Sequence, residues 1–154
     1  MIRIHNGHII TPERIISNGS LLIRDDRIVE VTDHDPDIPG EIRLDAGGGY
    51  ISPGFIDIHV HGGGGYDFMD NSVEAFLEIA RLHARYGTTT MYPTTLAGST
   101  ADIIKSLETF DLAVPLNESG AQLMGMHLEG PLFRNESTRR SGSKVYPQSR
   151  SQRI

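Results

Sequence analysis

The chain has 154 residues, a formal charge of −6 and no cysteine. The absence of thiols excludes disulfides and thiolate metal sites, the acidic balance argues against nucleic acid as a partner, and no apolar run approaches the ~18–20 residues of a membrane span. Such a length builds one domain with a real core, yet it falls far short of the roughly 250 residues of a closed (β/α)8 barrel.

Residues 2 to 51 read as short strands joined by tight turns. Ile2–Ile4 and His8–Ile10 flank Asn6-Gly7, a strong hairpin signal, and Leu21–Ile23 and Ile28–Val31 flank Arg24-Asp-Asp-Arg27, a second one. Ile42–Leu44 precedes a turn at Ala46–Gly49. This part is expected to be a small all-β unit without catalytic residues.

From Ile51 the pattern changes to strand, helix, strand, helix, strand, which implies parallel βαβ units. Asn71-Ser72 is expected to cap a helix with the apolar stripe Val73, Phe76, Leu77, Ala80 and Ala84, which Gly87 stops. Thr88–Thr95 is β-branched and reads as the next strand. Ser99 and Asp102 open a second helix carrying Ile103, Ile104, Leu107 and Phe110, and a third strand is expected over Ala121–Glu129. His83, on the edge of the first helix, reads as a packing or surface histidine.

Two stretches carry chemistry. In Pro53-Gly-Phe-Ile-Asp-Ile-His-Val-His61, the period of two puts Asp57, His59 and His61 on one side of a strand, so two imidazoles face one point. Neutral imidazole is the commonest protein ligand for zinc-like metals, and Asp57 stands where it could accept the second ring N–H of a liganding histidine. The glycines at 62 to 65 then turn the chain, at the kind of strand end where a barrel places its chemistry. In Ala121–Pro131 the same period aligns Gly125, His127 and Glu129. Glu129 at the strand end is expected to complete or bridge a metal site, and His127, one pleat deeper, to support it from behind or pack the barrel.

With Pro-Gly-Phe-Ile-Asp-Ile-His-Val-His at 53 to 61, Gly-Thr-Thr-Thr with Pro-Thr at 87 to 94, and above all His-Leu-Glu-Gly-Pro at 127 to 131, the chain resembles the N-acetylglucosamine-6-phosphate deacetylase family of the amidohydrolase superfamily. The resemblance covers residues 1 to 131. It implies the N-terminal portion of an α/β metal-dependent hydrolase (β/α)8 barrel, over residues 52 to 131, preceded by part of a small β-sandwich over residues 1 to 51. It also implies that Glu129 binds a catalytic divalent metal, zinc or similar, with His59 and His61 holding a second metal in some members. The implied reaction is hydrolysis of N-acetylglucosamine 6-phosphate to glucosamine 6-phosphate and acetate by a cytoplasmic enzyme, a homo-oligomer in the full-length family. The family's general base, a late aspartate, and two further histidine ligands lie beyond the resemblance, so no catalytic base is expected within this chain.

Residues 132 to 154 break the pattern: they carry a charge of +5, leaving −11 on the rest, with five serines and no periodicity. Such a composition does not bury a core. Reading each codon from Leu132 one nucleotide later permits a continuation that suits the family, so the tail is expected to be out of frame and disordered, and the truncated chain inactive alone. Two other readings stay open. One is another amidohydrolase, a dihydroorotase or cyclic-amide hydrolase, which shares the His-x-His strand, although many of these place a bridging lysine on the strand after the third. The other is a non-enzymatic acidic domain whose basic tail binds an anionic partner.

Overall fold

The structure, a computed structural model, describes residues 1 to 130. The expectation of an out-of-frame tail from residue 132 lies outside the described residues. The chain divides into two compact units, Met1–Pro53 and a second that starts at Gly54.

In the first unit β1 (Ile2–Ile10) pairs antiparallel with β2 (Ile15–Arg24), which pairs antiparallel with β3 (Arg27–Thr32). Asp25 and Asp26 turn the second hairpin, and Asp25 takes the left-handed conformation (φ 56°) that Asp tolerates better than most residues. The expected turn at Asn6-Gly7 is absent. Asn6 is left-handed (φ 55°), but the strand runs on through an irregularity that shifts the register between Ile4 and Gly7. The reason is the partner: Ile2–Ile4 pair with Leu21–Ile23 rather than folding back on His8–Ile10. Gly7 is needed there for close approach, because a Cβ at this position would lie 2.7 Å from Ile51 and 2.8 Å from Ala46. β4 (Ile42–Asp45) and β5 (Tyr50–Ile51) both add parallel to β1, completing a five-stranded sheet.

A fully buried cation anchors this unit. The Arg3 guanidinium lies 2.7 Å from the Asp35 carboxylate and 2.6 Å from that of Glu41, and also donates to the Pro36 carbonyl. Burial acts to discharge Arg3, but the hydrogen bonds and charges of Asp35 and Glu41 outweigh it and raise its pKa. The Arg3 hydrogen bond, helped by the Ser20 hydroxyl at 3.0 Å, holds the Asp35 carboxyl below its ordinary 3.8. A depressed carboxylate pKa stabilises the fold above the ordinary value, and that contribution is lost as pH falls through the folded one. The chain should therefore weaken below pH 3.8. Asp35→Asn should lower stability near neutrality and flatten this acid limb in thermal melts followed by circular dichroism between about pH 2 and 5; an unchanged pH profile would deny Asp35 that role.

The second unit follows the expected alternation. β6 (Phe55–Val60) leads into a glycine-rich ribbon of β7 (Gly62–Gly63) and β8 (Tyr66–Asp67), then a 3₁₀ turn at Phe68–Asp70, α1 (Val73–Arg85), β9 (Thr88–Thr95), α2 (Thr100–Ala113), a 3₁₀ turn at Val114–Leu116, β10 (Gln122–Leu123) and β11 (His127–Leu128). Ser72 and Ser99 are the helix caps, their hydroxyls accepting from the backbone N–H of Ala75 and Asp102. Asn71 does not cap α1: left-handed at φ 54°, it closes the preceding 3₁₀ turn. Gly87, at φ 92°, ends α1 in a conformation other residues avoid.

β9 is the central strand, flanked in parallel by β6 on one side and by β10 and β11 on the other. The strand expected over Ala121–Glu129 is thus two short ones, separated at Met124–Met126. One face of the sheet packs on the helices through Val60, Phe68, Phe76, Ile79, Ala80, Met91, Ala113, Ala121 and Leu123. Parallel sheets are normally covered on both faces, yet Phe55, Ile56 and Ile58 of β6 are 64%, 65% and 67% exposed in the chain as described.

Candidate metal centre

Strand direction places the candidate site. β6, β9 and β11 run parallel, so their C-terminal ends share one rim. That rim gathers His59 and His61 at the end of β6 and Glu129 just past β11. The Nε2 atoms of His59 and His61 lie 3.2 Å apart, His59 Nε2 is 3.2 Å from Glu129 Oε1, and His61 Nε2 is 3.8 Å from Glu129 Oε2. All three side chains are partly open to solvent, as a site that must admit a ligand requires.

The donor set fits a divalent cation. Ligand bonds of ~2.0–2.2 Å in a tetrahedral arrangement hold neighbouring donor atoms about 3.3–3.5 Å apart, and the three observed separations bracket that spacing. Among the described residues, His59, His61 and Glu129 form a cluster of three metal-ligating side chains. Two imidazoles and one carboxylate are a borderline-soft set that suits zinc-like ions.

What orients these side chains differs from the sequence reading. Asp57 was expected to accept an imidazole N–H; instead its Oδ1 accepts the backbone N–H of His59 at 3.1 Å, a short-range contact that competes with reaching the ring. His61 is held by a residue the sequence reading did not single out. Its Nδ1 lies 3.2 Å from the Thr94 carbonyl oxygen, which can only accept, so Nδ1 carries the proton and Nε2 keeps its lone pair toward the cluster. Thr94 is fully buried, and its hydroxyl accepts the Val60 N–H at 3.0 Å and donates to the Tyr92 carbonyl at 3.2 Å. The signal available in the sequence was a polar β-branched residue at the end of the strand after the His-x-His strand.

Replacing Thr94 with valine keeps the shape and strands the buried Val60 N–H. The expected cost is about 1–3 kcal/mol in urea unfolding; a loss under about 0.5 kcal/mol would show that the hydroxyl does not brace β6.

His127 is exposed in the chain as described, and it stands on the side of the sheet that carries His59 and Glu129. Its ring stands 4.8 Å from that of His59, nearly edge-on at 85°. His83, in α1, turns inward, with its Nε2 3.3 Å from the Gly62 carbonyl, and so steadies the glycine ribbon that follows His61.

No family model matches the chain. It is 32% identical over 140 residues to the N-acetylglucosamine-6-phosphate deacetylase of Bacillus subtilis, across 88% of this chain and 35% of that protein. It is 36% identical over 83 residues to the N-acetylgalactosamine-6-phosphate deacetylase of Escherichia coli O157:H7, across 54% of this chain and 22% of that protein. Among solved structures, N-acetyl-D-glucosamine-6-phosphate deacetylase from Mycobacterium smegmatis superposes with a TM-score of 0.73 at 27% identity, covering 93% of this chain and 38% of that one. A mutant of the same enzyme in complex with N-acetyl-D-glucosamine-6-phosphate gives 0.69 at 26% identity, covering 84% and 32%. The chain thus spans about a third of the length of the Bacillus relative.

Proposed function

We propose that this chain, a relative of the N-terminal part of the N-acetylglucosamine-6-phosphate deacetylases, supplies one half of the metal site of an enzyme that removes the N-acetyl group from N-acetylglucosamine 6-phosphate. The observation that carries the reading is the meeting of His59, His61 and Glu129 at one strand-end rim, in a chain whose relatives bear that activity in their names.

The reaction is amide hydrolysis: water adds to the acetyl carbonyl, the C–N bond breaks, and the amine leaves with a proton while acetate is released. A divalent ion, zinc or similar, supplies a Lewis acid for the carbonyl and brings the pKa of water toward neutrality. The chain's part is to hold donor atoms ready. Thr94 fixes the tautomer of His61, and Glu129 brings a negative charge to the imidazole pair, which lowers the cost of holding a cation there. A group able to carry the proton to the leaving amine is assigned to the part of the relatives that this chain does not span.

The same division makes residues 1 to 154 inactive alone. Among the described residues, the exposed apolar side chains of Phe55, Ile56 and Ile58, which lie on both faces of β6, and the unpaired edges of the parallel sheet suit a barrel that further strands would close.

A chimera tests the reading. Residues 1 to 130 replace the matching segment of the Bacillus relative, and acetate release is followed with N-acetylglucosamine 6-phosphate and its galactosamine epimer, ring opening with a cyclic amide. Turnover of N-acetylglucosamine 6-phosphate, absent from residues 1 to 154 alone, is the expected result. A folded chimera that opens the cyclic amide and leaves both sugars intact would overturn it; turnover of the galactosamine epimer alone would move the substrate to the Escherichia relative's sugar.

A further inference from the structure

Within the cluster, the ring of His59 lacks the backbone support that His61 has: among the described residues its Nε2 meets only the cluster itself, His61 Nε2 and Glu129 Oε1, each at 3.2 Å, and Asp57 Oδ1 accepts the His59 backbone N–H rather than a ring N–H. The segment that carries Glu129 is equally thinly held. β11 pairs with β9 through only His127 and Leu128, and Gly130 follows at φ 79°.

One side chain addresses both weaknesses. His127 lies on the far side of β9 from β6, yet its Nδ1 is 3.1 Å from the carbonyl oxygen of Ile58. A carbonyl accepts and cannot donate, so this nitrogen is the donor. The imidazole thus reaches over the end of the central strand and fastens the residue before His59 to the residue two before Glu129. On the way its ring stands edge-on to His59 at 4.8 Å, so it also closes off one side of that imidazole. His127 is exposed, so it contributes little to the core, and its geometry is spent on the rim.

We propose that His127 is a positioning residue: its Nδ1–H to the Ile58 carbonyl is a strut that sets the separation of His59 and Glu129 before any cation arrives. The inference rests on the metal reading above for its purpose, but the strut itself is testable without metal. In a parallel ladder of only two pairs, one added hydrogen bond is a sizeable part of what holds the segment, whereas in a long strand it would be minor.

Three variants of the full chain separate the possibilities: His127→Ala removes the side chain, His127→Asn keeps an N–H donor near the position of Nδ1, and His127→Phe keeps a ring without a donor. The first readout is amide hydrogen exchange of the metal-free protein at Leu128 and Glu129, with Leu123 of β10 as the internal control. His127→Ala and His127→Phe should speed exchange at Leu128 and Glu129 about fivefold to tenfold and leave Leu123 unchanged, while His127→Asn stays close to the unaltered chain. The second readout is Co²⁺ titration followed by visible absorption, in which His127→Ala and His127→Phe should bind about tenfold more weakly and His127→Asn recover most of the loss. Unchanged exchange in His127→Ala overturns the strut. Rescue by Phe and not by Asn overturns it in favour of ring packing, and equal loss of cobalt binding in all three variants overturns it in favour of direct ligation. If the unaltered chain binds no cobalt, the metal reading fails, and the exchange data alone decide the strut.

Discussion

Glu129→Gln is expected to weaken divalent-metal binding by about 100-fold or more, read by isothermal titration with Zn²⁺ or Co²⁺. The substitution keeps the size of the side chain and removes its charge and one ligand oxygen. Loss of a group that merely supports a ligand typically costs ~10–100-fold in affinity, so loss of a ligand belongs at or beyond the upper end of that range. The fold should be unaffected, because the Glu129 side chain is 41% exposed and, among the described residues, makes its close ion contacts with His59 and His61. Affinity within about threefold of the unaltered chain would remove Glu129 from the donor set. Only two imidazoles would then remain.

The largest expected effect on stability is at Phe76. Its ring is fully buried, 4.8 Å from the ring of Phe68 and 6.3 Å from that of Phe110, and it joins α1 to α2 and to the 3₁₀ turn that follows the glycine ribbon. Phe76→Ala leaves a cavity that neighbours on three elements cannot all relax to fill, so a loss of about 3–5 kcal/mol is expected in urea unfolding. Against a typical total of ~5–15 kcal/mol, that removes much of the margin. The same variant should weaken metal binding, because His83 steadies the Gly62 carbonyl from α1 and the ribbon follows directly on His61. A loss below about 1 kcal/mol would mean that this cluster does not carry the second unit.

The parts of this fold that were legible in the sequence are those with a strong local cause. Thr88–Thr95 is bounded by a left-handed glycine and is rich in β-branched residues, and the strand occupies those residues. Ser72 and Ser99 are good caps followed by apolar stripes, and both helices start directly after them. Asn6-Gly7 misled because a turn signal is local while strand pairing is not: the longer partner at Leu21–Ile23 won, and the dipeptide serves as an irregularity within one strand. The third strand misled for a related reason, since an unbroken period of two was assumed across Met124–Met126, where the ladder stops.

The candidate site divides the same way. His59, His61 and Glu129 could be brought together on paper because parallel strands must end on one rim, whatever their exact length. The groups that orient them could not. Thr94 acts on His61 through its backbone carbonyl, which every residue possesses and no motif records. Asp57 shares a face with the histidines, but a carboxylate two residues before a backbone N–H satisfies that donor first. His127 shares a face with Glu129 by the period of two, but that its Nδ1 meets the Ile58 carbonyl on another strand is not written in that spacing.

The metal site itself can be seen by diffraction from crystals of the chain soaked in Zn²⁺, recorded on both sides of the zinc edge. An anomalous peak about 2.0–2.2 Å from His59 Nε2, His61 Nε2 and a Glu129 carboxylate oxygen is the expected result. Zinc bound elsewhere, with these three side chains left without an ion at millimolar metal, would contradict it.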